Sequence, residues 1–456
     1  MTRNPSDALL TCIDKMREAD IPQSAVDVFA RFHRMCEQGE TGIISETSIR
    51  PLLDPPRLED VHIPDADASA ALAQTVMIKL NGGLGTSMGL DAAKTLLPVR
   101  EGKNFLDIIV DQVRHARRTH GVRLPLLFMN SFRTQADTLA HLARYPDLAV
   151  DDLPLDFLQN REPKLRASDL TPVEWPDDPT LEWCPPGHGD IYTVLWGSGL
   201  IDRLIEHGYR YANLANGDNL GAGPDAQLAG WFAQSGAPYA AEVCSRTAND
   251  RKGGHLAVRI SDGQLILRDS AQTAPEDQRF FQDEHAHPFF HANNLWLDLP
   301  RLRDAMSARN GVLELPLIRN EKTVDPSDSR STAVIQLESA MGAAIEVFDG
   351  AQAIAVPRHR FLPVKTTNEL LLLRSDVFDL GDDGRIRPLS AIPAVDLDPR
   401  YYKLVDEFDD RVRVVPSLRR ATSLTVRGDW VFDAPVALEG DVSLPDTGAT
   451  SHVPLG

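Results

Sequence analysis

Cysteine is scarce in this chain: Cys12, Cys36, Cys184 and Cys244 are the only four in 456 residues, and they lie far apart. They form no CxxC pair and no Cys/His ligand spacing, so neither a zinc site nor a disulfide framework organises the fold. Free thiols in a reducing compartment are expected. No stretch approaches the length of a membrane span, and the opening MTRNPSDALLTCIDKMREAD holds no uninterrupted apolar run of the secretory type. Basic charge is also short, with 47 Lys and Arg against 66 Asp and Glu, a formal charge of −19. Without a basic stripe to offset that balance, nucleic acid and acidic membrane surfaces are excluded as main partners. A phosphate-binding site here has to be a local cationic island. These shortages together predict a cytoplasmic protein with no nucleic-acid and no membrane partner.

What is present is ordinary for a folded enzyme. Hydrophobic residues make up 42% and charged residues 25%, and the length suffices for a large core and more than one domain. Residues 1–45 carry helical spacing in Leu9, Leu10, Ile13 and Met16, then Val26, Phe29 and Phe32. The stretch PLLDPPRLEDVHIPD at 51–65 interrupts it as an ordered linker. From about residue 73, short apolar runs alternate with longer periodic segments, the texture of an α/β domain. Strands are expected at Val76–Leu80, Pro125–Met129, Tyr211–Ala215 and Tyr239–Cys244. Helices are expected at Phe105–Thr119 and Ile191–His207, the second closed by a left-handed cap at Gly208. After Arg419, SLTVRGDWVFDAPVALEGDVSL reads as short strands joined by tight turns, the pattern of one or two β-helix coils, and PDTGATSHVPLG as a loose tail. The resulting division is 1–72 helical segment and linker, 73–375 α/β domain, 376–414 connection and 415–456 short β domain.

The segment Leu80–Lys94, LNGGLGTSMGLDAAK, follows the buried-strand pattern Val76-Met77-Ile78-Lys79-Leu80 directly. Gly82, Gly83 and Gly85 lack Cβ atoms, so positive φ and a close approach of backbone N–H groups to a phosphate or base edge are open to them. A Walker A loop needs Gly-Lys-Ser/Thr, but Lys94 follows Ala93. The dinucleotide fingerprint GxGxxG fails as well, because Met88 stands where its third glycine belongs. There remains a strand, a long glycine loop and a lone lysine suited to a triphosphate. A tight surface turn with a solvated lysine is the competing reading, and four glycines in eight residues after a buried strand disfavour it.

The loop LNGGLGTSMG with Lys94 resembles the signature of the eukaryotic-type UTP–glucose-1-phosphate uridylyltransferase family. The resemblance continues in order through MNSFRTQADT, CPPGHGDIY, NGDNLGA, KGG, NNLWLDL, VIQLESAMGAAI and VPRHRFLPVKTTNELLL, over roughly residues 75–440. One departure is Ala92-Ala93-Lys94-Thr95 where the family usually has Gly-Pro-Lys-Ser. The resemblance implies an α/β fold with a doubly wound, Rossmann-like nucleotidyltransferase domain, an N-terminal helical segment and a short C-terminal left-handed β-helix-like domain.

It also implies the reaction of UTP with glucose 1-phosphate to give UDP-glucose and pyrophosphate, by in-line attack of a phosphate oxygen on the α-phosphorus. That nucleophile, with a second pKa of about 6, is already largely ionised at neutral pH, so no general base is needed. Alignment and positive charge are needed instead. The implied catalytic residues are Lys94 and Lys365. UTP would lie against Leu80, Asn81, Gly82, Gly83, Lys94, Gln159, Gly187 and Lys365, with the Gln159 amide reading uracil. His188, Asn216, Asp218, Glu242, Gly254 and Asn293 (or its neighbour Asn294) would meet the sugar phosphate and sugar. Asp218, just after a strand's carboxyl end, would hold Mg²⁺.

Arg358 and Arg360 are near enough in sequence to join the cationic island, and Asp190 suits a helix N-cap. The run Asp283-Glu284-His285-Ala286-His287 with His291 fits no zinc spacing and reads as a solvated face. The short C-terminal domain leads to the expectation of a monomer or dimer. A broader UDP-sugar pyrophosphorylase acting on galactose or N-acetylhexosamine phosphates, and a catalytically silent UDP-sugar-binding protein, are the alternatives.

Overall fold

The computed structural model describes residues 6–246, 250 and 253–454. Two compact units emerge from it. The first comprises residues 1–78, 151–214 and 226–357, and the second 79–150, 215–225 and 358–456.

In the first unit, the helices Asp7–Glu18 and Gln23–Glu37 form where the apolar spacing places them. Ser6 caps the first by accepting the Leu9 N–H at 3.0 Å. Its buried stripe is Leu9, Cys12, Ile13 and Met16; Leu10 falls off that stripe and is 44% exposed. Four strands lie side by side in the order Gln352–Ala355, Tyr239–Ser245, Phe289–Asp298, Tyr211–Asn216. Phe289–Asp298 runs antiparallel to both neighbours, whereas Gln352–Ala355 is parallel to Tyr239–Ser245. The α/β class is thus as expected, in a mixed sheet. The strand Phe289–Asp298, buried on both faces, carries no directional signal in sequence.

The single helix expected over Ile191–His207 is two helices, Asp190–Gly197 and Leu200–Glu206. Gly199 between them takes φ 71°, a conformation that breaks the helical ladder. Gly208 follows the second helix at φ 87°, the left-handed value expected there.

In the second unit, the end of the strand Thr75–Asn81 lies beside Leu126–Asn130. The helix Phe105–His120 starts in a capping box of Asn104 and Asp107 and stops at Gly121, φ 64°. Toward the C-terminus, Ala394–Asp396, Ser417–Val426 and Ala437–Leu444 stack in parallel. Ser451–His452 pairs in parallel with Trp430–Val431, so part of the segment expected to be loose is ordered by backbone hydrogen bonds. Leu455 and Gly456 lie outside the described residues.

Candidate functional site

The second unit holds the glycine loop. Of its glycines, Gly85 and Gly89 take positive φ, 64° and 77°; Gly82 and Gly83 do not. Gly85 is where the chain turns back on itself. A Cβ there would lie 2.9 Å from Leu90 Cδ1 and 3.3 Å from Lys94 Cγ, so the missing side chain makes room for the Lys94 stem. The Lys94 N–H donates to Gly83 C=O at 3.2 Å. At the far end of the stem, Nζ meets Asp218 Oδ2 at 2.6 Å, with the two side chains 16% and 21% exposed.

Asn81 turns inward. Its Nδ2 donates to Asn130 Oδ1 (2.7 Å) and Thr138 Oγ1 (2.9 Å), and its Oδ1 accepts from Thr95 Oγ1 (2.6 Å). The amide's two N–H donors are thereby spent, and the residue is 3% exposed. Asn81 therefore supports the loop from below, and its side chain is not available to a ligand.

Asn216 ends the strand Tyr211–Asn216, and Gly217 N–H donates to Leu80 C=O at 2.8 Å, tying the Asp218 turn to the start of the glycine loop. Asn219, next in sequence, is buried. Its Oδ1 accepts from Leu362 N–H (2.8 Å) and Gly221 N–H (3.2 Å), and its Nδ2 donates to Arg360 C=O (3.2 Å). One side chain thus brings the segment before Lys365 against the Asp218 turn.

Lys365 is exposed and precedes the helix Thr367–Arg374, whose capping box of Thr366 and Glu369 fixes the backbone beside it. Arg360 does not join the cationic island. It is 4% exposed and its guanidinium turns to Asp225 Oδ2 at 3.6 Å.

The first unit holds the other candidates. Gly187 has φ 77°, and a Cβ on it would lie 2.5 Å from Ser339 O and 2.8 Å from Ser339 N. That closeness comes from two backbone hydrogen bonds, Gly189 N–H to Ser339 C=O (2.8 Å) and Ser339 N–H to Pro186 C=O (3.0 Å). Gln159 Nε2 donates to Gly187 C=O at 2.9 Å, which brings the expected base-reading residues together. Met341 N–H donates to His188 Nδ1 at 2.8 Å, so the imidazole proton sits on Nε2. Burial lowers the pKa of His188, against the pull of Asp269 and Glu338, and keeps the ring neutral.

Asp190 is the first residue of its helix, with Gly189 at the cap. Its carboxylate accepts instead from Asn160 N–H (2.7 Å) and Asn160 Nδ2 (2.8 Å), which holds the residue beside Gln159. Burial pushes the Asp190 carboxyl up to about 6, opposed by those two donors.

Glu242 is fully buried and accepts from Asn294 Nδ2 (3.0 Å) and Trp296 Nε1 (3.1 Å). The register shifts here, with Ala241 opposite Leu295 but Val243 opposite His291. The bulge leaves Asn293 at φ 56° and half-buried, whereas Asn294 is fully buried. Gly254 C=O accepts from His291 N–H at 2.8 Å; Lys252 of the same motif lies outside the described residues.

His287 and His291 are not on a solvated face. His287 is 1% exposed, stacks on His255 with ring centroids 3.8 Å apart, and meets Glu46 Oε1 at 3.1 Å. His291 is 8% exposed. The long-range contacts that bury these histidines leave no trace in local sequence.

Sequence reasoning gave no role to Asn160, Thr95, Asn219 or Ser339. Asn130 and Thr138 stand inside MNSFRTQADT, so the motif marked their place and not their task. Ser339 acts through its backbone, which no side-chain pattern reports.

A strand leading into a glycine loop, with a lysine folded back onto a carboxylate just past the end of another strand, defines a nucleotide-binding α/β protein. The chain belongs to the UTP–glucose-1-phosphate uridylyltransferase family, whose sequence profile matches residues 26–439. The potato enzyme (Solanum tuberosum) of that name is 37% identical over 399 residues, covering 86% of this chain and 81% of its own. The Saccharomyces cerevisiae enzyme is 38% identical over 379 residues, covering 81% and 74%. Among solved structures, a UDP-glucose phosphorylase from Trypanosoma brucei superposes with TM-score 0.92 at 44% identity, covering 99% of this chain and 98% of that one. A variant of Leishmania major UDP-glucose pyrophosphorylase in complex with UDP-glucose gives 0.93 at 43%, with the same coverage. Among the described residues, no helix is long and apolar enough to cross a membrane.

Proposed function

We propose that this protein transfers UMP from UTP to glucose 1-phosphate, releasing pyrophosphate and forming UDP-glucose. The observation that carries the reading is the Lys94–Asp218 pair, 2.6 Å apart, at the end of the glycine loop in a chain of this family. A phosphate oxygen of glucose 1-phosphate attacks the α-phosphorus of UTP. As that P–O bond forms, the bond to the pyrophosphate oxygen breaks and pyrophosphate leaves. Lys94 and Lys365 neutralise the phosphate charge that this crowding concentrates. Leu80, Gly82 and Gly83 offer backbone to the nucleotide, and Asn81 fixes their path. Gln159 and Gly187 form the uracil side. His188, neutral with its proton on Nε2, donates to the sugar phosphate, and Asn216 borders the same turn as Asp218. Asn293 and Gly254 serve the sugar, Asn293 being the asparagine left accessible by the bulge, and the buried Glu242 supports that side by holding Asn294 and Trp296.

Mg²⁺ fits the donor set. Among the described residues no cluster of three or more His, Cys, Asp or Glu would hold a metal on protein ligands alone. A single carboxylate from Asp218 completed by phosphate oxygens and water is the arrangement Mg²⁺ favours. When bound, it supplies further positive charge to the phosphates.

We read residues 73–375 as the catalytic domain. The C-terminal coils are read as a short left-handed β-helix, a reading supported by their parallel pairing. The same reading places the protein in the cytoplasm as a monomer or dimer.

The test is pyrophosphate release from UTP and glucose 1-phosphate with Mg²⁺, repeated with other nucleotides and sugar 1-phosphates. Release with UTP and glucose 1-phosphate alone supports the proposal. Comparable release with galactose or N-acetylhexosamine phosphates points to the broader enzyme, and UDP-glucose binding without release to a silent binding protein.

A further inference from the structure

We infer that Thr95 is a positioning residue for turnover, acting through Lys94, and the inference rests on the function just proposed. Thr95 follows Lys94 directly in the short turn Lys94–Leu96 and is 2% exposed. Its two γ-substituents do different things. The hydroxyl donates to Asn81 Oδ1 at 2.6 Å, and the same amide is anchored on Asn130 and Thr138. The methyl faces the Asp218 turn, where a Cβ added to Gly217 would lie 2.9 Å from Thr95 Cγ2 and 3.0 Å from Leu80 O.

Thr95 is therefore wedged between the lysine's backbone, the base of the glycine loop and the turn that carries the lysine's carboxylate partner. This also accounts for how Lys94 is held when Ala92-Ala93 precedes it. A proline would stiffen the approach from the N-terminal side, whereas here the residue after the lysine is pinned to a buried amide network. The lysine stem then starts from a fixed Cα, with its backbone N–H on Gly83 C=O. Loss of the hydroxyl frees the turn and also leaves Asn81 Oδ1 without that donor in a buried site.

The chemistry of threonine makes the two contributions separable. Thr95→Val keeps the shape and the methyl but removes the hydroxyl, and Thr95→Ser keeps the hydroxyl and removes the methyl. In the pyrophosphate-release assay, Thr95→Val is expected to lower kcat by up to about 10²-fold, the cost of a misplaced catalytic group, with the KM for UTP little changed. Thr95→Ser is expected to restore most of that turnover. Should Thr95→Val fail to fold, Thr95→Ala removes the hydroxyl together with the methyl, and at least the same loss is expected, with Thr95→Ser separating the two.

The deciding measurement is the cycle with Lys94→Ala. If Thr95 acts through the lysine, Thr95→Val lowers kcat no further, within about twofold, in the Lys94→Ala background. A full additional loss there, or wild-type kcat in Thr95→Val beside a crippled Lys94→Ala, overturns the inference and leaves the proposed function standing. Wild-type turnover in Lys94→Ala itself removes the reading on which the inference rests.

Discussion

Gly187→Ala is the sharpest single perturbation this structure offers, because both of its costs are visible. At φ 77° an alanine pays the left-handed penalty of about 1–2 kcal/mol. Its Cβ would also stand 2.5 Å from Ser339 O and 2.8 Å from Ser339 N, and backbone atoms cannot swing aside as a side chain would. Relief requires the loop to move off Ser339, which breaks Gly189 N–H to Ser339 C=O and Ser339 N–H to Pro186 C=O, at about 1 kcal/mol each. The sum is about 3–4 kcal/mol. Gln159 donates to Gly187 C=O, so the displaced loop carries away the contact that sets the base-reading amide. Expressed in binding, that energy corresponds to roughly 10²- to 10³-fold in kcat/KM for UTP, at about 1.4 kcal/mol per tenfold.

Steady-state pyrophosphate release at varied UTP measures this, with thermal unfolding run in parallel. Gly121→Ala is the control. Gly121 has φ 64° but nothing within 4 Å of an added Cβ, so it should lose only about 1–2 kcal/mol of stability and keep its kinetics. Gly187→Ala with kcat/KM for UTP within threefold of wild type and an unshifted melting temperature would refute the steric reasoning.

Lys365→Ala and Asp218→Ala should each lower turnover by roughly two or more orders of magnitude with the circular dichroism spectrum unchanged, and near-normal pyrophosphate release in either would sink the charge-neutralisation mechanism. Asp190→Asn places an amide where Asn160 presents two donors, so the KM for UTP should rise while that for glucose 1-phosphate holds; equal changes in both would point to general damage. Glu346 is half-buried beside Arg259, and desolvation, opposed by that guanidinium, pushes its carboxyl up to about 7. A raised carboxyl contributes stability when protonated, below the ordinary carboxylate range, and loses it as pH rises through about 7. Relative to Glu346→Gln, the wild type should therefore be more favoured at pH 5.5 than at pH 8.5 in denaturant unfolding, and a difference independent of pH would contradict the assignment.

Local chemistry was enough to write down much of this protein. Apolar spacing marked residues 1–45 as helical and located the strands at Thr75–Asn81, Leu126–Asn130, Tyr211–Asn216 and Tyr239–Ser245 to within a residue, since periodicity and burial are properties of short segments. The glycine loop, its lysine and the Asn-Gly-Asp turn were legible for the same reason, as were the motifs that mark the family.

What residues separated by tens to hundreds of positions do to one another was not legible. The Thr95 hydroxyl on Asn81, the Asn219 amide joining Leu362 to the Asp218 turn, and the Ser339 backbone against Gly187 each depend on chain segments that meet only in the folded state. The tertiary structure likewise turned Asn81 inward, sent Arg360 to Asp225, buried His287 and chose Asn293 over Asn294 as the accessible amide. A residue's type fixes which hydrogen bonds it is able to make. Which of them it makes is fixed by the partners that folding brings within about 3 Å, and only the tertiary structure decides those.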